Sequence, residues 1–496
     1  MTTAAPVFKN SIGGIWQAAH DGRTFPNYNP ATGELLGHFP LSSSRDVDDA
    51  VNAARLAFAR WRLVPAPRRG EILFRVGELL SRYKEDLART MTREMGKVLN
   101  ETQGDVQEGI DMAYYMAGEG RRLFGYTVPV ELPNKSGMAL RDPIGVVACI
   151  TPWNFPVAIP TWKLFPALIA GNTVVLKPAS DTPHSAQRLV EILYEAGLPE
   201  GVVNIVFGSG QEVGESLIHH PDVSVISFTG STESGRHVAV EAAQALKRVS
   251  LEMGGKNAVI VLEDADLDLA VEGILWSAYG TTGQRCTACS RLIVHRDVQD
   301  RLLEKLVPRI EGLRLGDGLD EQVDVGPVIN ASQIEKIHSY VEIGAREGAT
   351  LVTGGERVAE GELANGYFYR PTLFKDVRPD MRIAQEEIFG PVLSLIAVDS
   401  FDEAIAINNE TKFGLSCAIY TQDINKTQRA IRDLTTGILY INSGTTGAEI
   451  QLPFGGTRGT GNGHREAGIA GLDVFTEWKV VYTDYSGKLQ KAQIDN

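Results

Sequence analysis

Three runs, "NTVVLK" (Asn172–Lys177), "SAQRLVEILYEAGLPEG" (Ser185–Gly201) and "VVNIVFG" (Val202–Gly208), follow one another almost without a break. The outer two are short, apolar and rich in valine, as strands buried on both faces require. The middle run puts Ala186, Leu189, Val190 and Leu193 on one helical face and stops at Gly197. Strand, helix, strand is the unit of a parallel sheet. The pattern extends outward in both directions. "EILFRVGELLSRY" (Glu71–Tyr83) is amphipathic through Ile72, Val76, Leu79 and Leu80, and "SVISFTG" (Ser224–Gly230) reads as another strand, closed by glycine. A second alternation begins near "NAVIVL" (Asn257–Leu262) and runs through "SRLIVH" (Ser290–His295) to "GILYINS" (Gly437–Ser443). The fold class is therefore α/β, with two doubly wound domains expected to meet near Gly254–Gly255.

At 496 residues the chain exceeds a single core, and two or three domains are expected. It is 43% hydrophobic and 22% charged, the balance of a globular protein. No apolar run approaches the roughly 18 residues of a membrane helix, and "MTTAAPVFKN" (Met1–Asn10) lacks the apolar core of a signal peptide. A cytoplasmic location without a membrane partner is expected. The net charge of −14, with no block of Lys or Arg, argues against nucleic acid as a partner. Four cysteines make no disulfide framework. Cys149 and Cys417 sit in apolar runs and are expected in the core.

The other two lie in "GTTGQRCTACSR" (Gly280–Arg291), as Cys286 and Cys289. A zinc site needs about four ligands. His295 is the nearby histidine and there is no second C-x-x-C, so no metal is expected. A dithiol pair belongs in a small βαβ unit that this context lacks. Two readings remain for Cys286, a nucleophile and a buried structural cysteine. Gly280 and Gly283 would loosen the backbone before it, and Arg285 beside it would favour the thiolate. A nucleophile wants a base, and "SLEMGGKN" (Ser250–Asn257) supplies Glu252 before two glycines. Its alternative is a solvated charge at a strand end. Two strand–glycine–helix junctions compete for a phosphate. "VFGSGQEVGESL" (Val206–Leu217) is one residue too long for G-x-G-x-x-G and reads as a tight turn. "SFTGSTESGRHV" (Ser227–Val238) offers Gly230, Ser231, Thr232 and Ser234 at a helix start. A diphosphate cradle and a simple helix cap fit it equally.

Taken together, these residues resemble the aldehyde dehydrogenase superfamily over nearly the whole chain, from "NPATGEL" (Asn29–Leu35) to "FTEWKVVY" (Phe475–Tyr482). Between them stand "PWNFP" (Pro152–Pro156), "LKPAS" (Leu176–Ser180), "FTGSTESG" (Phe228–Gly235), "LEMGGKN" (Leu251–Asn257), "GQRCTA" (Gly283–Ala288), "EEIFGP" (Glu386–Pro391) and "PFGG" (Pro453–Gly456). The resemblance implies that Cys286 attacks an aldehyde to form a thiohemiacetal and then a thioester. Asn154 and the Cys286 N–H would hold the oxyanion, Glu252 would activate the hydrolytic water, and Lys163 would relay protons. Cys289 has no implied role beyond packing or an oxidative disulfide with Cys286. The resemblance also implies an NAD or NADP site. In it the diphosphate lies near Gly230 and Ser231, Lys177 meets the adenosine ribose, and Glu387 holds the nicotinamide ribose beside Phe389. Ile150, Thr151, Pro152, Trp153 and Met253 line the same cleft.

Two positions depart from the common family pattern. Ser180 stands where many NAD-preferring members carry a glutamate that would repel a 2′-phosphate, so NADP is expected to be accepted alongside NAD. Arg285 stands where many carry a small or neutral residue. It reads equally as a partner for a substrate carboxylate and as a structural arginine. "GQRCTA" with "INSGTTGAEIQLPFGG" (Ile441–Gly456) resembles the members acting on carboxylate-bearing semialdehydes, the 2-oxoglutarate semialdehyde and aminoadipate semialdehyde enzymes. "REMGKVLNE" (Arg93–Glu101) and "YYMAGEGRR" (Tyr114–Arg122) look closer to the first. Glu108 matches a glutamate that the aminoadipate group uses for the substrate amine. Phe155 and Trp162 are expected to line the aldehyde tunnel, which leaves a broad-range aliphatic or aromatic aldehyde open as an alternative. The implied cofactor domain takes residues 1–124 and 144–254 and the catalytic domain 255–471. A small β oligomerisation element takes 125–143 and 472–496. Its open edges predict a homodimer or homotetramer. CoA-acylating and phosphorylating relatives are disfavoured by Glu252, and a non-catalytic binding or structural role by the presence of Cys286, Glu252 and Asn154 together.

Overall fold

Three strands buried along their whole length, Val146–Ile150, Thr173–Lys177 and Val203–Ile205, lie side by side and parallel. The computed structural model, which describes residues 5–358 and 360–494, places them in the middle of a seven-stranded sheet. Residues 1–4, 359, 495 and 496, which fall within the three expected domain pieces, lie outside the described residues. Beyond Val146–Ile150 on the other side come Val223–Thr229 and Arg248–Glu252, also parallel. Asn10–Ile12 and Ile15–Gln17 close the far edge as an antiparallel pair. Strand order therefore reverses between Val146–Ile150 and Val223–Thr229. In a doubly wound sheet the helices at that point lie on opposite faces and leave a crevice beyond the carboxyl ends of the strands.

The connecting helices follow from their sequences. Pro183–Glu195 has proline at its start and Gly197 at φ 90° just after its end. Ala158–Ala170 is apolar nearly all round and is buried accordingly, capped by Gly171 at φ 103°. The amide of Ala158 at its start donates to Asp105 Oδ1 at 2.6 Å. Asp105 belongs to the long helix Leu99–Glu119 that packs across it.

Glu252 ends the last strand of the first sheet and Asn257 begins the first strand of the second, so Gly254 and Gly255 lie between the two sheets. The second sheet also has seven strands. Thr372–Lys375, Val392–Val398, Cys289–His295, Asn257–Val261, Ser416–Tyr420 and Ile438–Ile441 are parallel in that spatial order, with Thr350–Thr353 antiparallel at one edge. Its order reverses between Asn257–Val261 and Ser416–Tyr420. A separate three-stranded antiparallel sheet joins Tyr126–Val128, Lys135–Pro143 and Thr476–Asp484. Trp478, Val480, Tyr482, Tyr126 and Val128 are exposed on it. Among the described residues no helix is long and apolar enough to cross a membrane, and no group of three or more His, Cys, Asp or Glu side chains is placed to hold a metal.

Candidate active site

The carboxyl ends of the first sheet and the amino ends of the second face one another across Gly254–Gly255. Cys286 comes from the second side, in the loop entering the strand Cys289–His295. The backbone there is constrained rather than loosened. Thr281 and Thr282 both adopt left-handed φ values, 52° and 57°, followed by Gly283 at 67°. A Cβ on Gly283 would stand 2.3 Å from the carbonyl oxygen of Gly390, so only glycine fits. β-branched residues in this region cost on the order of 1–3 kcal/mol each, and the surroundings hold them there. The Thr281 amide donates to Glu101 Oε1 at 2.7 Å, Thr282 Oγ1 donates to the Gly326 carbonyl at 2.9 Å, and Gln284 Oε1 accepts from the Ile329 amide at 3.0 Å. Asn257 Nδ2 donates to the Cys286 and Ala288 carbonyls at 2.7 and 3.0 Å. Gly280 keeps an ordinary backbone, φ −54°. The expectation that Gly280 loosens the loop is corrected: the unusual torsions fall on the two threonines and Gly283.

Two cavities meet at Cys286, which lines both. The first is walled by Phe155, Ile159, Trp162, Phe454 and Ala448, with Glu252, Glu466, Glu108, Arg285 and Thr446 among its polar members. The second is the switch-point crevice of the first sheet. Pro152, Trp153 and Asn154 line it from the loop after Val146–Ile150, and Gly230 and Ser231 from the loop after Val223–Thr229. Gln333, Lys336, Glu387 and Phe389 close it from the second domain. Thr229, Met253 and Ile159 border both cavities. Of the residues expected to bind a dinucleotide, Ile150, Thr151, Lys177 and Ser180 stand at or just beyond strand ends and do not line the crevice itself.

Electrostatics inside the site follow from burial. The Cys286 thiol is pushed up to about 12, first by loss of solvent and then by the carboxylates of Glu252 and Glu387. The expected help from Arg285 is absent among these causes, because its guanidinium turns away. Arg285 donates through Nη2 to Glu101 Oε1 at 3.1 Å and through Nε to Thr281 Oγ1 at 2.8 Å, and lies over the Trp276 ring at 4.5 Å. Glu252 is buried, and neither carboxylate oxygen has a hydrogen-bond partner among the described residues. Burial first, then Glu466, raises its proton affinity well above the ordinary carboxylate value, against the pull of Lys163 and Arg465. Lys163 Nζ pairs with Glu466 and donates to Ser227 Oγ at 3.0 Å. Glu466 has no motif around it in "GHREAG" and joins Lys163 across 303 residues of chain, so no local signal could have marked it. Asn154 donates one Nδ2 hydrogen to the Gln284 carbonyl at 3.0 Å, which leaves its second N–H. Cys289 is buried and its thiol donates to the Arg291 carbonyl at 3.3 Å, as a packing residue would.

The crevice residues suit a polyanionic ligand carrying ribose hydroxyls. Ser231 caps the helix Thr232–Gln244, its Oγ accepting from the Ser234 amide at 3.1 Å, so the capping reading holds for that hydroxyl. The Thr229 hydroxyl, on the crevice wall, and those of Thr151 and Thr232, beyond the two strand ends and outside the lining, are buried with no partner among the described residues. Glu387 Oε1 accepts from the Gly255 amide at 2.9 Å, and burial raises its carboxyl. Phe389, at φ 61°, meets Trp153 edge-on at 5.3 Å. Lys177 is held by the Pro178 carbonyl at 3.0 Å and lowered to about 8 by burial, while Ser180 Oγ donates to the Gly208 carbonyl at 3.2 Å.

A model of the aldehyde dehydrogenase family matches residues 16–481. The chain is 42% identical to α-ketoglutaric semialdehyde dehydrogenase of Bacillus subtilis over 97% of this chain and 99% of that one. It is 44% identical to α-ketoglutarate semialdehyde dehydrogenase of Haloferax volcanii over 96% and 99%. It is also 43% identical to malonate-semialdehyde dehydrogenase 2 of Geobacillus kaustophilus over 97% and 99%. Among solved structures, an NADP-dependent enzyme of E. coli superposes with a TM-score of 0.93 at 39% identity, covering 96% of this chain and 98% of that one. Betaine aldehyde dehydrogenase of Staphylococcus aureus in complex with NAD+ superposes at 0.95 and 34%, covering 97% and 95%.

Proposed function

The chain belongs to the aldehyde dehydrogenase family, and we propose that it oxidises a carboxylate-bearing semialdehyde, of the 2-oxoglutarate semialdehyde type, to the acid with NAD or NADP. One observation carries the reading: Cys286 stands where a largely apolar cavity and a switch-point crevice open onto each other. The crevice suits the dinucleotide, with Gly230 and Ser231 by the diphosphate, Lys177 and Ser180 toward the adenosine ribose, and Glu387 and Phe389 toward the nicotinamide end. The chemistry that the dinucleotide supplies when bound is acceptance of the hydride lost as thiohemiacetal becomes thioester.

The remaining work falls to the chain's own groups. A thiol pushed up to about 12 attacks only after losing its proton, and Glu252, with its raised affinity, is the acceptor on the same wall. The second Asn154 N–H and the Cys286 backbone N–H receive the oxyanion. A donor of this kind contributes about 3–4 kcal/mol to the barrier. Glu252 passes the thiol's proton to the Glu466–Lys163 pair behind it and is again a carboxylate. It then takes a proton from water as that water adds to the thioester carbon, and the adduct collapses to the acid and expels the Cys286 thiolate. The same pair carries this second proton onward. The names of the relatives, all semialdehyde dehydrogenases, favour a semialdehyde substrate. The exposed aromatic face of the three-stranded sheet favours a homo-oligomer, dimer or tetramer, and we place the enzyme in the cytoplasm. We take the cofactor domain as 1–124 with 144–254, the catalytic domain as 255–471, and the oligomerisation element as 125–143 with 472–496.

The test follows absorbance at 340 nm for 2-oxoglutaric, succinic and aminoadipic semialdehydes, butanal and benzaldehyde, each with NAD and NADP. Turnover should be highest with a semialdehyde, and Cys286→Ala should remove at least about 10⁴-fold of it. Turnover that survives Cys286→Ala overturns the mechanism. A preference for benzaldehyde overturns the substrate class.

A further inference from the structure

The sequence leaves open whether Arg285 receives a substrate carboxylate. Resting on the semialdehyde reading, we propose that the remote carboxylate is held instead by the Trp162 indole N–H, the Thr446 hydroxyl and the Glu108 carboxyl. Arg285 then serves as a wall of the cavity and not as counter-ion.

Two cations approach this end of the cavity, and each already has its own carboxylate. Arg285 is paired with Glu101 at 3.1 Å, with both side chains nearly buried. Lys97 Nζ meets Asp105 at 2.6 Å, again fully buried, and lies 3.8 Å over the Phe155 ring. Both acids come from one face of the helix Leu99–Glu119, four residues apart. A buried pair whose charges already cancel offers an incoming anion little, and breaking it strands a charge. The neutral groups are in the opposite condition. Trp162 Nε1 and Thr446 Oγ1 are buried, belong to residues lining the cavity, and have no partner among the described residues. Their hydrogen-bonding capacity is unspent.

Glu108 is the third acid on that helical face and lines the same cavity. Burial first, then Asp105, pushes its carboxyl up to about 8, with Lys97 and Arg285 pulling the other way and Asp111 adding to the rise. Tyr440, from the strand Ile438–Ile441, faces it from the second domain and is itself raised to about 12 by burial. At neutral pH Glu108 therefore keeps a proton that it can donate. Once ionised, it meets a substrate carboxylate as a like charge. The sign is distinctive. Rising pH ionises Cys286 and speeds every aldehyde, but it closes the cavity to anionic tails alone.

A ratio removes the thiol from the comparison. kcat/KM would be measured for succinic semialdehyde and for butanal, of equal chain length, from pH 6.5 to 9.5 with saturating NADP. The wild-type ratio should be level to about pH 7.5 and then fall toward a tenfold loss per pH unit, the slope of one titrating group. In Glu108→Gln it should stay level across the range. In Thr446→Val it should be lower by roughly ten- to a hundredfold at every pH, the worth of one hydrogen bond to a charged group, with the fall unchanged. A wild-type ratio that is flat or rises overturns the proposal, and so does a fall that persists in Glu108→Gln. If neither aldehyde is oxidised, the dehydrogenase reading itself fails, a result distinct from a flat ratio. If succinic semialdehyde alone is oxidised, its kcat/KM in wild type divided by that in Glu108→Gln should show the same fall above about pH 7.5, and a level quotient overturns the proposal.

Discussion

Each large sheet reverses its strand order once, and the two reversals have opposite fates. In the first sheet the carboxyl ends of Val146–Ile150 and Val223–Thr229 open into a cavity, with the Thr229 hydroxyl on its wall unpartnered among the described residues. In the second, the matching place beyond Asn257–Val261 and Ser416–Tyr420 is filled by the protein's own Asp264. Its carboxylate accepts from Thr421 Oγ1 at 2.8 Å and from the Gln422 and Asp423 amides at 2.9 Å each, and Lys426 Nζ lies 3.2 Å away. The same topology makes an anion site both times. One is left for a ligand and the other is occupied by a tethered carboxylate. Doubly wound topology thus says where a ligand site can form, and a few side chains decide whether it stays open.

The sharpest way to break this comparison lies where the open crevice meets the chemistry. Glu252→Gln keeps the volume of the side chain and removes its basicity. Steady-state turnover should fall by roughly 10²–10³-fold, the range of a lost general base. A slower burst of about one NADPH per active site should remain, since solvent base still ionises Cys286 in part. Stopped-flow absorbance at 340 nm reads both. Absence of any burst would move Glu252 from thioester hydrolysis to the first chemical step alone.

How much of this was legible in advance divides along the same line. The α/β alternation could be read because buried parallel strands are short apolar runs bounded by glycine, as at "NTVVLK" and "SVISFTG". The meeting of the sheets at Gly254–Gly255 could be read because two glycines interrupt two such patterns. Cys286 and Glu252 stood out by their glycine-rich settings, and their roles came from the resemblance. The direction of Arg285 was not legible. Thr281, four residues before it, and Glu101, from a distant helix, decide where its guanidinium goes. The Lys163–Glu466 pair was hidden for the same reason, since contacts across 303 residues leave no local periodicity. Nothing around Asp264 in the sequence marks it, and only the strand order makes it the plug of a crevice.

Removing that plug tests the comparison from its closed side. Burial alone would raise the Asp264 carboxyl, but the hydrogen bonds from Thr421, Gln422 and Lys426 outweigh it and hold the group below its ordinary 3.8. Its contribution to stability is complete above that value and is lost as pH falls through the lower folded one. Asp264→Ala should cost about 2–3 kcal/mol of stability at pH 7, the worth of charge-assisted hydrogen bonds, measured by urea denaturation. kcat/KM should stay within about twofold, because the residue touches neither cavity. A loss of activity with no loss of stability would mean that the second crevice has a task beyond holding its own loop.

The smallest effect is expected at Ser180, set toward the adenosine ribose in the proposed function. Ser180 follows the strand Thr173–Lys177 and its hydroxyl is tied to the Gly208 carbonyl at 3.2 Å. Replacing it by glutamate adds a negative charge where an adenosine 2′-phosphate would lie. Two charges about 4 Å apart interact by about 1–4 kcal/mol between the limits of bulk water and a protein surface. The neighbourhood keeps the effect toward the lower end. Asp181, next in the chain, is already a buried acid whose carboxyl is raised by burial and whose Oδ1 accepts from Asn330 Nδ2 at 2.9 Å. Lys177, lowered to about 8, stands close by to offset part of any new charge. The NADP-to-NAD ratio of kcat/KM should therefore drop about tenfold in Ser180→Glu, with the denaturation midpoint unmoved. An unmoved ratio would detach Ser180 from cofactor choice. A lowered midpoint would show that its bond to Gly208 matters more to the fold than its position matters to the ligand.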